Sequence, residues 1–562
     1  MIEQASLIIG DGNWAVKSDS LLGYALPQGK YVPREMTFTR ATTGTRVNAA
    51  GLVEIVPYNL FSYSEDFTNA AWLTTDVITV NTTTAPNGTL TADTLTIPST
   101  TNSQYYLIRN SFFINVGQYT QSFYVKKNTY GYIALVSTIN GSVQTSYFDI
   151  NTGVVGTTTS GTTSSITDVG NGWYRVSQTA TETTGANRVI GIYFANSLMN
   201  SINVSLSLTD SFYAWGAQLV EGTQPLTYLP TTDRLDIPRI DYSTGSSALL
   251  LEPQRTNLCS NNLGFSVFGG CTIASETTNS PFGNTSDVFK VTSLGAGGVR
   301  ANENVSFTSG NTYSCGHFIK FVTAITLNFS ASAGHFANNG NFIFDASGNP
   351  SKTGDVNYIA YSNGWYYVYI KADVTSTVSA RVNIAPSSGS FLIFKSQYEL
   401  GPCATSYIPT TSTSVTRNAD AFTRTNFQAS GLLTATKNTF FFDINAIGAT
   451  GSNYHFFKFT ATSGFDISVW RFVGNQNWNI QLNGVFIDTG VSNGKFAVVQ
   501  DGSQTKFFIN GVLNTTTGAT GTINSIDSFI GLYQLASPSF IKALAIYPEV
   551  LTDAECIALT TP

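Results

Sequence analysis

An internal repeat limits what this chain can fold into. The segment NLFS at 59–62 returns as NLCS at 257–260, and NGWY at 171–174 returns unchanged at 363–366. Further pairs follow in the same order, and the spacing between the two copies shrinks along the chain. Repeated motifs with drifting spacing indicate one module present twice, with loops of different length. We assign the copies to residues 59–230, module one, and 257–409, module two.

Each copy is built from short runs rich in Val, Ile, Tyr, Phe and Thr. Turn sequences such as Pro86-Asn87-Gly88, Asn151-Thr152-Gly153 and Ser347-Gly348-Asn349 separate these runs. Alternating strands punctuated in this way are typical of antiparallel sandwiches. We therefore predict that each module is a jelly roll, with two sheets packed over an apolar core.

The segments that flank module one show a different pattern. Residues 36–58 contain two short strand-like runs around a turn at Ala49-Ala50-Gly51, which predicts a hairpin. Residues 231–256 contain similar short runs, broken at prolines and a glycine. Our hypothesis is that these two segments pair into one small β-collar and that module one is inserted within it. Residues 1–35 are rich in Gly and Pro, and we predict an irregular N-terminal arm that either packs loosely or anchors the chain to a larger assembly.

The end of the chain has its own rhythm. Residues 410–424 form a polar linker, and 425–562 form a third all-β module. Asp501-Gly502 and Asn510-Gly511 each separate apolar runs, as the turns of hairpins do. Thr552 and Glu555 have the spacing of a capping box, which predicts a short closing helix.

Composition excludes several functional classes. The 562 residues require several hydrophobic cores, but only 11% of them are charged. The net charge of -6 and the lack of any Lys/Arg run argue against nucleic-acid binding. No stretch reaches the roughly 20 apolar residues of a membrane span, so we expect no membrane insertion. The first residues lack the pattern of a secretory signal, which predicts folding in a cytoplasm with reduced, buried cysteines.

Two family resemblances follow from particular phrases. Modules one and two resemble the jelly-roll carbohydrate-binding modules that are fused into bacteriophage tail and virion proteins. The phrases are NLFSYSEDFTNAAW (59–72), APNGTLTADTL (85–95), GNGWYRVS (170–177) and WGAQLVEG (215–222), while FTRATTGTRVNAAGLVE (38–54) and PRIDYSTGSSALLLEPQRTNL (238–258) resemble the connecting segments of phage tail proteins. Residues 425–562 resemble laminin-G/concanavalin-like sandwiches, on DGSQTKFFINGVL (501–513) and IKALAIYPEVLTDAECIAL (541–559). The expected fold is all-β, with two jelly rolls and one concanavalin-like sandwich.

The resemblance implies a function as well as a fold. It indicates a structural protein of the phage particle surface, made in the host cytoplasm, that acts as a tail fibre or receptor-binding component and attaches to cell-surface or environmental glycans. Other virion proteins are expected partners through the N-terminal arm, and a homotrimer is the expected assembly. One alternative is a capsid head fibre or decoration protein that binds no sugar. The other alternative is a glycan depolymerase.

The candidate sugar-binding residues lie on the predicted strands of module one. Strand alternation places Trp215 and Leu219 on one face of WGAQLVEG and Gly216 and Gln218 on the other. Trp173 and Arg175 share a face in the same way, and both tryptophans are expected to pack. The candidates for a polar binding face are Tyr124, Lys126, Arg175 and Gln218. The alternative is that they are ordinary solvated residues of a sheet.

The resemblance to calcium-binding jelly rolls implies a second kind of site. Glu65, Asp66 and Asp93 would supply oxygen ligands to a structural Ca²⁺ ion. The alternative is that these side chains cap turns. Module two lacks the Ser64-Glu65-Asp66 motif and the counterpart of Trp72, and His317 stands where module one has Phe123, so sugar binding is less expected there.

Catalytic signatures are missing from the sequence. The three histidines, His317, His335 and His455, do not lie beside a recognisable nucleophile motif. A depolymerase would need two carboxylates facing each other across a glycosidic bond, and no family signature marks such a pair. We therefore expect a protein that is not an enzyme.

Overall fold

The structure is a computed structural model of the 562-residue chain. It describes all residues except 1–4, 6, 11–15, 18–19, 26–29, 57–58, 115, 227, 232–236, 261–263, 286, 332–334, 362, 411–412, 426–432, 447–452, 462–465, 483–484, 518–525 and 534–536. The described chain is nearly all β-structure in antiparallel sheets, which confirms the predicted fold class. It forms two compact units: residues 57–235 are one, and residues 1–56 with 236–562 are the other.

The first six strands precede module one. They are β1 Leu7–Gly10, β2 Val16–Lys17, β3 Ser20–Ala25, β4 Lys30–Thr39, β5 Thr45–Val47 and β6 Val53–Ile55. Strands β5 and β6 pair with each other, Arg46 lying opposite Glu54, as the hairpin prediction requires.

Module one is a two-sheet sandwich. Its strands are β7 Leu73–Thr74, β8 Val77–Thr83, β9 Ala92–Thr96, β10 Tyr106–Ile114, β11 Gly117–Lys127, β12 Tyr132–Ser137, β13 Gln144–Asp149, β14 Val154–Thr158, β15 Thr163–Gly170, β16 Trp173–Glu182, β17 Ala186–Phe194 and β18 Ser211–Glu221. The two sheets have the orders β14-β13-β12-β17-β10-β7 and β15-β16-β11-β18-β9-β8. Alternation along β11 sends Phe123 and Val125 into the core between the sheets.

Module two repeats this topology. After β19 Arg239–Asp241 and β20 Ala248–Leu251 come β21 Arg255–Asn257, β22 Phe265–Phe268, β23 Cys271–Ser275, β24 Phe289–Leu294, β25 Gly298–Ala301, β26 Val305–Phe307, β27 Thr312–Phe321, β28 Ile325–Ala331, β29 Gly340–Phe344, β30 Pro350–Gly354, β31 Val356–Ala360, β32 Trp365–Asp373, β33 Val378–Ala380, β34 Val382–Pro386 and β35 Ser388–Leu400. The sheets β30-β29-β28-β34-β25-β22 and β31-β32-β27-β35-β24-β23 match those of module one strand for strand. The duplication seen in the motifs is therefore a duplication of the whole sandwich.

The remaining elements follow module two, and all except the first, which pairs with β21, belong to the C-terminal sandwich. They are β36 Val415–Arg417, β37 Ala421–Thr425, β38 Asn438–Ala446, β39 Tyr454–Ala461, β40 Asp466–Arg471, β41 Trp478–Leu482, β42 Val485–Asp488, β43 Asn493–Gln500, β44 Thr505–Ile509, β45 Val512–Thr517, β46 Ile526–Tyr533, β47 Ser539–Tyr547 and α1 Asp553–Thr560. Asn510 and Gly511 form the two-residue turn between β44 and β45, both with positive φ. Thr552 and Glu555 cap α1 reciprocally, which confirms the predicted capping box. In the described residues, no helix is long and apolar enough to cross a membrane.

The prediction of an irregular arm over residues 1–35 is wrong. Strand β1 pairs with β47, Ile8 lying opposite Ala545, and β4 pairs with β37. Leu7, Met36 and Phe38 are buried in the same core as Phe440 and Ile541. Apolar side chains from the start of the chain thus complete the C-terminal sandwich, and burial in that shared core outweighs the local turn preference of Gly and Pro.

The two segments that flank module one are brought together within their unit. The Val47 backbone nitrogen donates to an Asp241 carboxylate oxygen at 2.6 Å, and the Tyr242 nitrogen donates to the Val47 carbonyl oxygen at 3.0 Å. Their strands have different partners, however: β5 pairs with β6, whereas β20 pairs with β19 and β47. The collar hypothesis therefore describes a contact between two elements and not one shared ladder.

A buried ion cluster joins distant segments of the same unit. It contains Arg40, Arg239, Glu252, Arg417 and Asp420, each with a side chain at most 1% exposed. Arg239 donates to Glu252 at 2.6 Å and also pairs with Asp420, while Arg40 lies 2.9 Å from Asp420. Burial alone would raise the pKa of Glu252, but Arg417 and Arg239 lower this pKa to about 2. Arginines thus compensate the buried carboxylates, and one such pair, Arg40 and Asp420, is separated by 380 residues in the sequence.

Candidate functional site

A β-bulge decides which side chains share the outer face of module one. Ser122 lies opposite Gln218 and Tyr124 opposite Trp215, so two residues of β18 face the single position of Phe123. Gly216 takes a φ of +60° at this bulge. Trp215 and Gln218 therefore lie on the same face, and Leu219 is in the core. The predicted pairing of Trp215 with Leu219 is wrong, because strict alternation does not allow for the extra residue.

The four predicted sugar-binding residues meet on this outer face. Arg175 lies opposite Tyr124 across β16 and β11, and its guanidinium carbon is 5.1 Å from the centre of the Tyr124 ring. An Arg175 nitrogen donates to Gln218 Oε1 at 2.5 Å and to Ser122 Oγ at 3.1 Å. Lys126 lies two positions along β11 from Tyr124, opposite Trp173. We call the surface of Tyr124, Lys126, Arg175 and Gln218 the module one face.

Two tryptophans form the floor beside this face. Trp173 and Trp215 are 1% and 3% exposed, which confirms that both pack. The Trp173 indole nitrogen donates to the Thr84 carbonyl oxygen, and that of Trp215 donates to Thr91 Oγ1. Ring centres of Trp215 and Tyr228 lie 4.6 Å apart. Satisfied indoles and close aromatic contacts make this floor rigid.

The four residues contribute in different ways. Gln218 is fully buried, and its side-chain oxygen holds Arg175 in position. Tyr124 and Lys126 are half-buried, and within the described chain neither the Tyr124 hydroxyl nor the Lys126 ammonium has a hydrogen-bond partner. The Tyr124 ring is held by Arg175, Trp215 and Tyr228, and its hydroxyl and the Lys126 ammonium suit contacts with a hydroxylated ligand.

The three carboxylates predicted to bind Ca²⁺ do not form one site. Among the described residues, no group of three acidic, His or Cys side chains is close enough to hold a metal ion. Asp66 accepts hydrogen bonds from the Thr68 nitrogen and hydroxyl, which is the turn-capping role that we considered as the alternative. Burial raises the pKa of Tyr228, and Glu65, which lies near the Tyr228 hydroxyl, raises it further. These residues therefore do not fit a shared calcium site.

Asp93 is a buried carboxylate, and its surroundings include the Asp66 carboxylate and the Phe67 backbone. It is 2% exposed, and one carboxylate oxygen accepts from the Asn81 nitrogen at 2.9 Å, where Asn81 has a φ of +56°. Burial raises the pKa of Asp93 to about 6. Asp93 thus stabilises an irregular point of the edge strand β8.

Module two does not repeat the module one face. Phe318, Tyr367 and Gln397 occupy the positions of Tyr124, Arg175 and Gln218, and all three are buried. Phe318 and Tyr367 pack with Val53 of the hairpin and with Ala404 and Tyr407. Gln397 donates to the carbonyl oxygens of residues 405 and 406 and accepts from the backbone nitrogen of residue 408. The chain itself covers this surface.

His317, which replaces Phe123, is fully buried in module two. Its Nδ1 lies 3.0 Å from Ser396 Oγ, and its Nε2 lies 3.4 Å from the Tyr398 hydroxyl. Burial lowers the pKa of His317 to about 3. The imidazole is therefore neutral at physiological pH and acts as a polar core residue. The five cysteines are also buried, and each is a free thiol.

Comparison with known proteins adds little to this geometry. No protein-family model matches the chain, and no curated protein matches it. Among solved structures, the chain is similar to the tandem domain CBM22-1-CBM22-2 of Paenibacillus barcinonensis Xyn10C, with 11% identity, 62% of this chain and 98% of that chain covered, and a TM-score of 0.21. It is also similar to the receptor-binding domain of botulinum neurotoxin mosaic serotype C/D, with 16% identity, 25% and 38% covered, and a TM-score of 0.19.

A third similarity is to the LG1-3 region of the laminin alpha2 chain. The identity is 9%, the similarity covers 81% of this chain and 97% of that chain, and the TM-score is 0.12. All three TM-scores are below 0.5, so none of these similarities supports an argument about function. The class defined by the structure itself is a protein of tandem antiparallel β-sandwiches.

Proposed function

We propose that this chain is a phage virion protein, a tail fibre or receptor-binding component, that attaches the particle to cell-surface or environmental glycans through the module one face. The observation that supports this proposal most is that two half-buried side chains beside a fixed Arg175 present polar groups, the Tyr124 hydroxyl and the Lys126 ammonium, without a hydrogen-bond partner among the described residues. The binding surface is thus held in place before the ligand arrives, which lowers the entropic cost of binding.

The chemistry of the face fits a sugar ring. The apolar side of a pyranose stacks on a tyrosine ring, and ring hydroxyls accept hydrogen bonds from ammonium and phenol groups. Since Arg175 is already bound to Gln218 and Ser122, it positions the Tyr124 ring more than it offers free donors. We propose that the protein binds its ligand without covalent chemistry and is not an enzyme.

The remaining expectations belong to the same proposal. The protein would lie at the surface of the phage particle, contact other virion proteins and assemble as a homotrimer. A structural Ca²⁺ ion, if module one holds one, would need ligands other than the combination of Glu65, Asp66 and Asp93. Unfolding midpoints measured with and without a chelator test for that ion.

A purely structural decoration protein is the second candidate. It is favoured by the outer face of module two, where Phe318 and Tyr367 are covered by the chain itself. If both modules served only to pack, the Tyr124 hydroxyl and the Lys126 ammonium of the module one face would contact neighbouring subunits instead of sugars.

The test is a glycan array on the purified full-length protein. We expect Tyr124→Ala and Lys126→Ala each to weaken glycan binding at least tenfold, because they remove the stacking surface and an unengaged donor. The matched control is Lys320→Ala, at the position of Lys126 in module two, where the ammonium already donates to the Asn363 carbonyl oxygen. Wild-type protein that is folded and binds no glycan would reject the proposal in favour of the decoration protein.

A further inference from the structure

A second polar face lies on the other sheet of module two. Ser266 of β22 lies opposite Arg300 of β25, and Arg300 lies opposite Asn383 of β34. The neighbours of Arg300 and Asn383 along these strands, Val299 and Ile384, are in the core. Strand alternation therefore puts Ser266, Arg300 and Asn383 in one row on the outer face.

Each residue of this row has a polar atom without a hydrogen-bond partner among the described residues. Ser266 Oγ, Arg300 Nε and Asn383 Oδ1 are shielded from solvent, and in the described part of the chain none has a hydrogen-bond partner. The Arg300 guanidinium also has no ion-pair partner among the described residues. Polar atoms in protein structures are normally paired, so an unpaired row on one face indicates a ligand or bound water.

An aromatic ring adjoins the same row. The Arg300 guanidinium carbon lies 5.1 Å from the centre of the Phe268 ring, and Phe268 is 38% exposed. Residue 298, opposite Phe268, is glycine, and a Cβ there would lie 2.5 Å from Phe268 Cζ. The glycine thus leaves the space that lets this ring lie across β25.

The chemistry of the row selects one class of ligand. A guanidinium without a carboxylate partner binds a planar anion in two parallel hydrogen bonds. The Asn383 amide and Ser266 hydroxyl suit sugar hydroxyls, and the Phe268 ring offers a surface for stacking. The module one face belongs to the other of the two sheets and differs in kind, since its Arg175 is engaged by Gln218 and Ser122.

We propose that Ser266, Phe268, Arg300 and Asn383 form a second glycan-binding site, selective for sugars that carry a carboxylate. We call this surface the Arg300 face. The proposal rests on the proposed function in that the chain binds glycans, but it does not depend on the module one face.

The experiment measures binding of full-length protein to uronate oligosaccharides and to their methyl esters, which differ only in the carboxylate charge. We expect the acids to bind at least tenfold more tightly than the esters. Arg300→Gln should abolish this preference, and Arg300→Lys should retain part of it because the charge remains. The matched control is Arg188→Gln in module one, an arginine outside both faces that is paired with Glu182, and it should leave the preference unchanged. Unfolding midpoints establish that each variant is folded.

The outcomes separate the two proposals. Loss of the acid preference in Arg300→Gln with unchanged neutral-glycan binding supports the Arg300 face. Loss of all binding, acids included, in Tyr124→Ala assigns every contact to the module one face and overturns this inference. Wild-type protein that binds acids and esters equally, or binds no uronate, overturns it as well. If uronates bind through Arg300 and Tyr124→Ala has no effect on any glycan, the module one site fails while this inference stands.

Discussion

The two jelly rolls share one framework and differ at their outer faces. Both have the same strand order and a bulge at the same position of the central strands β18 and β35. In module one the face beside the bulge is polar and half-buried, whereas in module two it is apolar and covered by residues 404–407 and the hairpin. The comparison teaches that duplication preserves the interior, while a few outward side chains decide whether a surface can bind a ligand or must be covered.

A buried asparagine holds the shared framework in both copies. The Asn59 amide donates to the carbonyl oxygens of Ala217 and Leu229 and its oxygen accepts from two backbone nitrogens. Asn257 makes the equivalent four bonds, donating to the carbonyl oxygens of Ser396 and Ile408. These bonds tie the start of each module to the bulge and to the returning chain. The motif NLFS/NLCS is thus a structural signature of the sandwich and not of a ligand.

The largest effect is expected when the segment that covers the outer face of module two, residues 404–407, is loosened. Arg239 donates to Glu252 and to Ser406 Oγ, and Ser406 belongs to the covering segment. Arg239→Ala leaves Glu252 and Asp420 buried with less compensation, so we expect about 3–5 kcal/mol of destabilisation. Chemical denaturation of the full-length protein measures this loss.

The control for this variant is a partly exposed ion pair in the same unit. The Arg46 and Glu54 side chains are 24% and 31% exposed, so Arg46→Ala should cost less than about 1 kcal/mol. Equal losses in the two variants would show that the buried cluster is not what holds the covering segment.

The second prediction makes the two cores alike. His317→Phe places in module two the residue that module one has at position 123. The pKa of His317 is lowered from 6.5 to about 3, so its neutral form is favoured in the folded state. Its contribution to stability is present above about pH 6.5 and is lost as the pH falls towards 3, roughly 2–3 kcal/mol between pH 7 and pH 4.

The measurement is the free energy of unfolding of wild-type protein and His317→Phe at pH 7 and pH 4. We expect the difference between the two proteins to shift in favour of the variant on acidification, by about the amount given above. A difference that does not change with pH would mean that His317 does not titrate between the folded and unfolded states.

The smallest expected effect concerns the bulge itself. Gly216 has a φ of +60°, and Lys395, at the matching position of module two, has a φ of +35°. Lys395→Gly relieves backbone strain but removes the exposed ion pair with Asp287, which contributes little to stability. We expect a net stabilisation of about 0.5–1 kcal/mol.

The reciprocal variant, Gly216→Ala, should destabilise the protein by about 1–2 kcal/mol. The added Cβ would lie 3.0 Å from Tyr124 Cδ2, so the variant should also disturb the module one face. Thermal unfolding of both variants checks the pair, and changes of the same sign would contradict this account of the bulge.

Features that depend on residues near one another in the sequence could be predicted from the sequence alone. The repeat can be read directly from the sequence. Local stereochemistry predicts three further features: the alternation of Trp173 and Arg175 against Val176, the Asn510-Gly511 turn and the capping box of α1. The same alternation and turn signals also predicted a sandwich, although its strand pairs include residues far apart in the sequence, such as Leu95 and Phe212. The four residues of the module one face were likewise predicted from their positions on strands.

The tertiary structure decided whatever depends on distant partners. Leu7 and Phe38 join the core of Phe440, and Arg40 compensates Asp420, because burial selects contacts that no local pattern reports. The bulge at Gly216 moved Trp215 to the face of Gln218, since one extra residue reverses the alternation of a strand. Asp66 accepts a hydrogen bond from Thr68, and Asp93 accepts one from Asn81. The sequence, which suggested that both residues bind one calcium ion, does not specify these partners. Local chemistry thus determines the strands, and the shared burial of remote segments determines which surfaces remain open.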